Sequence, residues 1–227
     1  NLYIKYLLTL FLILPIVLLL ISQPDLGQSI LIIASWLCLI FVSGINLFVF
    51  FGLFGTFILI LSYLIFFVEK FNYIKIRIFS FFDTSSKNNF QSEKASEAII
   101  DGGFFGKGIG EGTLNSKIPE AHTDYIVSVI SEEFGIIIIF LIMLSFIFFA
   151  YKVFKKIRDT NEDVFKLILT GLISLLMMQA FIHVGVNLRV LPTTGMTLPF
   201  LSYGGSSIVS ISIISGIILN LTKRRVY

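Results

Sequence analysis

Residues 29–68 read SILIIASWLCLIFVSGINLFVFFGLFGTFILILSYLIFFV and contain no charged residue. A helix needs about 20 apolar residues to cross roughly 30 Å of hydrocarbon, so this run is too long for one crossing and suits two. Gly44-Ile45-Asn46 supplies a tight turn between them. A buried hairpin in a soluble protein is the competing reading. Composition weighs against it: 56% of the 227 residues are apolar, only 14% are charged and 25 are phenylalanine. The mean hydropathy of +0.94 exceeds what a soluble core absorbs.

Outward from that run, apolar stretches at 6–22, 134–151, 167–187 and 204–222 join 28–45 and 48–68. Together they predict an all-α polytopic membrane protein with six transmembrane helices. Lys/Arg in short connections favours the cytoplasmic side. Lys152, Lys155, Lys156, Arg158 and Lys166 follow the fourth span, and Lys223, Arg224 and Arg225 close the chain, so both regions are expected inside. The N-terminus with Lys5 then lies inside too, and 23–27, 69–123 and 188–203 lie outside, the second as a long extracytoplasmic loop. The net charge of +3 follows largely from the inside anchors, which leaves little support for a nucleic-acid partner. The single cysteine, Cys38, sits in an apolar run and excludes a disulfide framework or a cysteine metal site. No basic region and cleavage site precede the first span, so it does not read as a signal peptide. The start at Asn1 without methionine suggests a truncated chain.

The polar residues collect in the connections expected outside. Ser92 to Ile100 is compatible with a helix, and Asp101 to Gly112 packs six glycines into twelve residues. Glycine permits φ > 0 and close backbone approach, so Gly103, Gly106, Gly108 and Gly110 read either as the wall of a substrate groove or as a flexible turn. The stretch lacks the Gly-Lys-Ser/Thr ending of a phosphate loop. Thr84 to Asn89 reads as a polar surface loop. Glu120, His122, Asp124, Glu132 and Glu133 crowd the mouth of the fourth span, where ionisable groups are costly and usually functional. The helix is expected to begin at Asp124, which sets Asp124 and Glu132 on one face, about two turns apart. Helix capping by Thr123 or Asp124 is the plainer explanation.

Gln23-Pro24-Asp25-Leu26-Gly27 predicts a turn in which Asp25 either caps the next helix or serves the site. Arg189 to Ser207 is apolar yet broken by proline, glycine and threonine. Irregular backbone at membrane depth is tolerated only against protein or a wet cavity, so this segment reads as a re-entrant wall, with a surface loop as the alternative. Gln179 and His183 in the fifth span are expected to make a contact between helices.

Four motifs occur in order over nearly the whole chain: Gln23 to Gly27, Pro119-Glu120-Ala121-His122-Thr123-Asp124-Tyr125, Glu132-Glu133-Phe134-Gly135, and Leu191-Pro192-Thr193-Thr194-Gly195 through Leu198-Pro199-Phe200-Leu201-Ser202-Tyr203-Gly204-Gly205-Ser206-Ser207. In these the chain resembles the C-terminal part of the FtsW/RodA (SEDS) family, and its division branch most closely. The resemblance implies ten transmembrane helices, of which these six are the fifth to tenth. It implies polymerisation of lipid II into glycan strands at the outer side of the bacterial cytoplasmic membrane, at the division septum. A single-span penicillin-binding transpeptidase and other division proteins are the implied partners. Asp124 matches the family's essential aspartate, and Arg77 in Tyr73-Ile74-Lys75-Ile76-Arg77 is the best match to its basic stretch. Thr194 stands where some members carry lysine.

Joining two lipid-linked disaccharides requires a nucleophilic acceptor hydroxyl and stabilisation of the departing pyrophosphate. Asp124 fits the first role as general base, with burial and neighbouring carboxylates raising its pKa from a reference near 3.9. Pyrophosphate leaves with little protonation, so a second carboxylic acid is not required. Positive charge or a divalent cation is required, and Arg77, Lys107 and Arg189 are the basic candidates beside a metal held by carboxylates. Glu120, His122, Thr194 and Ser206 complete the expected substrate contacts. Asp25, Glu132, Glu133, Pro192, Pro199, Gly204 and Gly205 are the expected supporting residues. A lipid II flippase competes with this reading and would place ionisable groups near the bilayer midplane. A noncatalytic scaffold of the division machinery is the third class.

Overall fold

The structure is a computed structural model and describes residues 2–83, 90–114 and 118–223. The expected surface loop Thr84 to Asn89 and the basic Arg224 and Arg225 lie outside the described residues. The described residues are helical throughout their regular structure: α1 (Leu2–Ser22), α2 (Leu26–Val42), α3 (Leu47–Phe67), a 3-10 turn (Glu69–Phe71), α4 (Asn72–Phe82), α5 (Phe90–Gly102), α6 (Ile126–Phe134), α7 (Ile136–Asp159), α8 (Asp163–Asn187) and α9 (Gly205–Thr222).

Among the described residues five helices, α1, α3, α7, α8 and α9, are long and apolar enough to cross a membrane, which defines a polytopic membrane protein. The other expected span, α2, has 17 residues. At 1.5 Å per residue it covers about 25 Å, a few ångströms short of the hydrocarbon. Its limits are chemical. Asp25 accepts from Gln28 N at 3.0 Å and fixes the start, as the capping reading expected. At the other end Ser43 folds its hydroxyl onto Ile40 O, and Gly44 turns the chain at φ +83. Asn46 then caps α3 by accepting from Phe48 N at 2.9 Å.

Helix α8 is the hub, with Leu169, Ile173 and Leu176 packed against Ala150 and Val153 of α7 and Ile211 and Ile218 of α9. On its other flank α2 approaches closely because Gly171 offers no side chain: a Cβ there would lie 3.2 Å from the Leu39 methyls. Lipid tails are as apolar as leucine, so such small-residue packing and polar contacts hold membrane helices together. By contrast α3 buries only Ile65 and presents Phe48, Phe51 and Phe67 outward, as a lipid-facing helix does.

The ends sort the polar residues. Lys5 and Tyr6 of α1, Ser43 after α2, and Asp163 and Lys166 of α8 line a cavity of about 600 Å³ at one end of the bundle. The segments before α2, before α6 and before α9 meet at the opposite end. There the stretch preceding α6 is an ordered structure, with Ala95 and Ala98 of α5 buried against Ile118, Ala121, Tyr125 and Val129.

One expectation is corrected. The fourth crossing does not begin at Asp124 as a continuous helix: α6 starts at Ile126, and the chain breaks at Gly135 (φ 86, ψ 167) before α7. The cause is the glycine-rich stretch, whose backbone lies directly on this elbow. Ile136 N donates to Gly103 O at 3.0 Å, Lys107 N to Glu132 O at 2.9 Å and Gly108 N to Glu133 O at 3.0 Å. A Cβ on Gly102, Gly106 or Gly135 would overlap the facing main chain of Ser131, Glu133 and Phe104 respectively. The stretch is thus a clasp on the α6–α7 elbow rather than a free turn.

Candidate functional site

Three polar side chains on one stripe of α8, Gln179, His183 and Asn187, recur at intervals of four residues and so project from one face. Gln179 Nε2 donates to Thr197 O at 2.9 Å, and His183 Nδ1 lies 2.6 Å from Met196 O. Asn187 Nδ2 donates to Asp124 O at 3.0 Å, while Asn187 Oδ1 accepts from Ser128 Oγ at 2.9 Å. Gln179 and His183 thus satisfy irregular backbone in the buried part of the 188–204 segment, as the re-entrant reading requires, and Asn187 satisfies that before α6. Ser202 Oγ closes the arrangement, donating to Thr123 O at 2.6 Å and accepting from Leu198 N at 2.8 Å. Sequence reasoning named Gln179 and His183 but missed Asn187, Ser128 and Ser202; the four-residue spacing on α8 was the available signal.

Asp124 sits immediately before α6. Glu120 takes a left-handed backbone (φ 57) and its carbonyl accepts from Thr123 N, Asp124 N and Tyr125 N at 3.1, 3.0 and 3.4 Å. The N-cap residue Tyr125 makes no side-chain cap on α6, and the first-turn amide of Ser128 donates instead to Asn187 Oδ1 at 3.3 Å. The capping explanation for Asp124 and Thr123 therefore has no bond behind it; Thr123 Oγ1 instead donates to the Glu120 carboxylate at 2.8 Å. The Asp124 carboxylate is half-buried. Burial first, then the Glu120 charge, push its pKa above the usual 3.8; Arg77 pulls down and Asp25 pushes up. Burial and Asp124 together push the neighbouring Tyr125 phenol up to about 12, so it stays protonated.

The turn before α2 and the segment before α9 close over this carboxylate. A Cβ on Gly27 would lie 2.8 Å from Thr194 O, and one on Gly195 (φ +71) would lie 3.6 Å from Asp124 Oδ2. Beside them Tyr73, Arg77, Ser80, Gln91, Pro119 and Thr193 line a cavity of about 560 Å³. Arg77 Nη1 and Thr194 Oγ1 are buried polar atoms without a hydrogen-bond partner among the described residues. Unpartnered buried donors are costly and mark places where a ligand or water completes the bonding.

The other expected residues distribute differently. Lys107 pairs with Asp101 on the glycine clasp, and Arg189 (φ 55) pairs with Glu93 of α5 at 3.7 Å. Neither is among the charges acting on Asp124. The His122 side chain is exposed, and its carbonyl accepts from Tyr203 N at 2.9 Å. Ser206 is exposed, whereas its neighbour Ser207 bonds Thr197 Oγ1 at 2.7 Å. Glu132 is fully buried and accepts from Thr113 N and Leu114 N at 2.8 and 3.0 Å, so it belongs to the clasp and does not share a face with Asp124. Glu133 is half-buried beside it. Pro192 is half-buried, Pro199 is buried near the left-handed Phe200 (φ 67), Gly204 precedes α9, and Gly205 opens it in free space. Among the described residues no group of three or more His, Cys, Asp or Glu is arranged to hold a metal ion. Among the charges acting on Asp124, Arg77 is the cation.

Fold and site together define a polytopic membrane protein with a half-buried carboxylate at one end of its helical bundle. The family model FTSW_RODA_SPOVE, described as cell cycle protein, matches residues 2–227. The chain belongs to the FtsW/RodA family. It is 35% identical over 207 residues to the probable peptidoglycan glycosyltransferase FtsW of Caulobacter vibrioides, covering 91% of this chain and 52% of that protein. The corresponding protein of Nitrosomonas europaea is 37% identical over 218 residues (92% and 56%), and stage V sporulation protein E of Bacillus subtilis is 33% identical over 212 (91% and 57%). A solved structure from work on the structural coordination of polymerization and crosslinking by a peptidoglycan synthase complex aligns with TM-score 0.70 and 26% identity, covering 93% of this chain and 59% of that one. The chain spans about half the length of the curated relatives it matches.

Proposed function

We propose that this chain carries the catalytic half of a peptidoglycan glycosyltransferase that polymerises lipid II into glycan strands during division. The observation that carries the reading is the Asp124 carboxylate, half-buried, uninvolved in capping and raised in pKa beside a polar cavity. A raised carboxylate is a better base near neutral pH than an ordinary one, and Asp124 would take the proton of the acceptor sugar hydroxyl as it attacks the anomeric carbon. The departing lipid pyrophosphate needs donors, and among the described residues Arg77 Nη1 and Thr194 Oγ1 are two of the four buried side-chain atoms without a partner, the others being Ser131 Oγ and His183 Nε2. Glu120 and His122, exposed at the rim, are proposed as sugar contacts. Lys107, Arg189 and Ser206 remain proposals of lower geometric support, since the first two are engaged elsewhere.

The proposed setting is the bacterial cytoplasmic membrane at the septum, with the Asp124 end of the bundle outside and 69–123 as its extracytoplasmic loop. Residues 1–227 would form the C-terminal part of the membrane domain. A single-span penicillin-binding transpeptidase is the proposed partner, a reading supported by a relative studied as a synthase complex that couples polymerization to crosslinking. A flippase reading draws less support, because Gln179 Nε2 and His183 Nδ1, of the polar pair within a span, bond the 196–197 backbone and leave only His183 Nε2 free among their buried atoms.

The test is Asp124→Asn in a full-length homologous protein reconstituted with lipid II. Polymerisation should fall roughly 10²-fold or more while lipid II binding survives. Normal polymerisation with failed translocation would transfer the reading to a flippase.

A further inference from the structure

We propose that the Phe104–Phe105 turn of the glycine clasp is inserted into the interfacial layer of the bilayer beside the start of α7, anchoring the clasp to lipid. Depth comes from the backbone. Gly103 O accepts from Ile136 N at 3.0 Å, and the Phe104 main chain lies against Gly135. Ile136 is the first residue of α7, one of the five membrane-length helices. The turn is therefore held at the level where a span enters the hydrocarbon, whichever side of the membrane that is.

The side chains point away from the protein. Phe104 is 71% exposed, Phe105 84%, Ile109 79% and, on the last turn of α5, Ile100 76%. The opposite side of the same unit is tightly closed, with Ala95, Ala98 and Gly102 buried against α6. Four large apolar side chains together in water mark an interaction surface. Next to it, past the Ile136–Gly103 bond, Ile137, Phe140 and Leu141 on the first turns of α7 are exposed as well, as lipid-facing side chains are. The flanking polar residues suit a headgroup layer: Lys107 and Asp101, neighbours in sequence of these apolar side chains, form a part-exposed ion pair. Aromatic and aliphatic side chains at such a boundary sink 5–10 Å into the acyl edge while charged neighbours stay among headgroups. None of these four residues belongs to the chemistry assigned to Asp124, so the anchor stands or falls independently of the reaction.

The test places a nitroxide on Phe105→Cys in a Cys38→Ser background, with the full chain in bilayers of phosphatidylethanolamine and phosphatidylglycerol. Collisions with oxygen, which partitions into lipid, should exceed those with a water-soluble nickel chelate several-fold, and a label at Glu97→Cys should show the reverse. Greater access for the nickel chelate at position 105 would put the turn in water and overturn the anchor. Shielding from both quenchers would place it under a protein partner and overturn it equally. An independent measurement uses Phe105→Trp with Trp36→Phe, where lipids brominated near the headgroup should quench the new emission. An unquenched signal rejects the proposal.

Discussion

Asn187 holds Asp124 by its main chain: Nδ2 donates to the Asp124 carbonyl at 3.0 Å and to His183 O at 2.9 Å, while Oδ1 accepts from Ser128 N and Oγ at 3.3 and 2.9 Å. One amide thus fixes the residue that bears the carboxylate to both α6 and α8. Asn187→Leu leaves these buried groups without partners, each costing about 1–3 kcal/mol. We expect a clear drop in melting temperature, and lost activity in the fraction that stays folded. Asn187→Asp keeps the acceptor for Ser128 but loses the donor, so thermal melts of the two variants separate the two halves of the contact.

The pH dependence follows from the charges around Asp124. A carboxyl whose folded pKa is raised binds its proton more tightly folded than unfolded, so its ionisation costs stability as pH rises from the ordinary 3.8 through the folded value. A base must be ionised, so activity should rise with pH through an apparent pKa above 3.8. Arg77→Met should move that limb upward and Glu120→Gln downward, because the guanidinium favours the ionised form and the second carboxylate opposes it. Initial rates against pH check both signs. Asp124→Asn, which removes the penalised charge, should melt no earlier than the parent at neutral pH.

The glycine clasp makes a graded prediction. Gly110 has positive φ (78) but open space around it, so Gly110→Ala should cost only backbone strain, about 1–2 kcal/mol. Gly106→Ala adds overlap with the Glu133 main chain and should prevent normal folding or lower stability by several times as much. A Cβ on Gly108 meets only Glu111 atoms 3.7 Å or more away, but the residue sits at φ +116, beyond the left-handed helical region, so β-branched Gly108→Val should cost more than Gly110→Ala through backbone strain. Detergent-solubilised melting of the three variants gives the order.

Sidedness is checked by cysteine labelling. Thr160, after α7, should react from inside; Ser85, which lies outside the described residues, should react from outside. The reverse pattern would put Asp124 in the wrong compartment for lipid II polymerisation.

Hydropathy made the membrane architecture legible but not the helix ends. The fourth apolar stretch stops at residue 151, whereas α7 continues to Asp159, because its Lys/Arg tail stays helical after leaving the hydrocarbon. The break at Gly135 was hidden in Glu132-Glu133-Phe134-Gly135, since its cause is the distant backbone of Phe104. The charged surroundings of Asp124 were legible from the crowding of carboxylates there, and the Asp25 cap from turn chemistry. Asn187 was not, because a polar residue at the end of an apolar stretch reads as a boundary; only its register with Gln179 and His183 gives it away. Lys107 and Arg189 read as site cations, and the acidic partners that claim them lie on other turns of the fold.

The left-handed backbone at Glu120, Arg189 and Phe200 has its own consequence. Each stands at a corner of a segment between helices, in a conformation where a residue with a Cβ is strained by about 1 kcal/mol or more and glycine is at ease. A carboxylate, a guanidinium and a phenyl ring occupy the three corners that geometry alone would assign to the smallest residue. These corners are therefore where local backbone comfort and side-chain chemistry pull in opposite directions, and in this chain chemistry has the position.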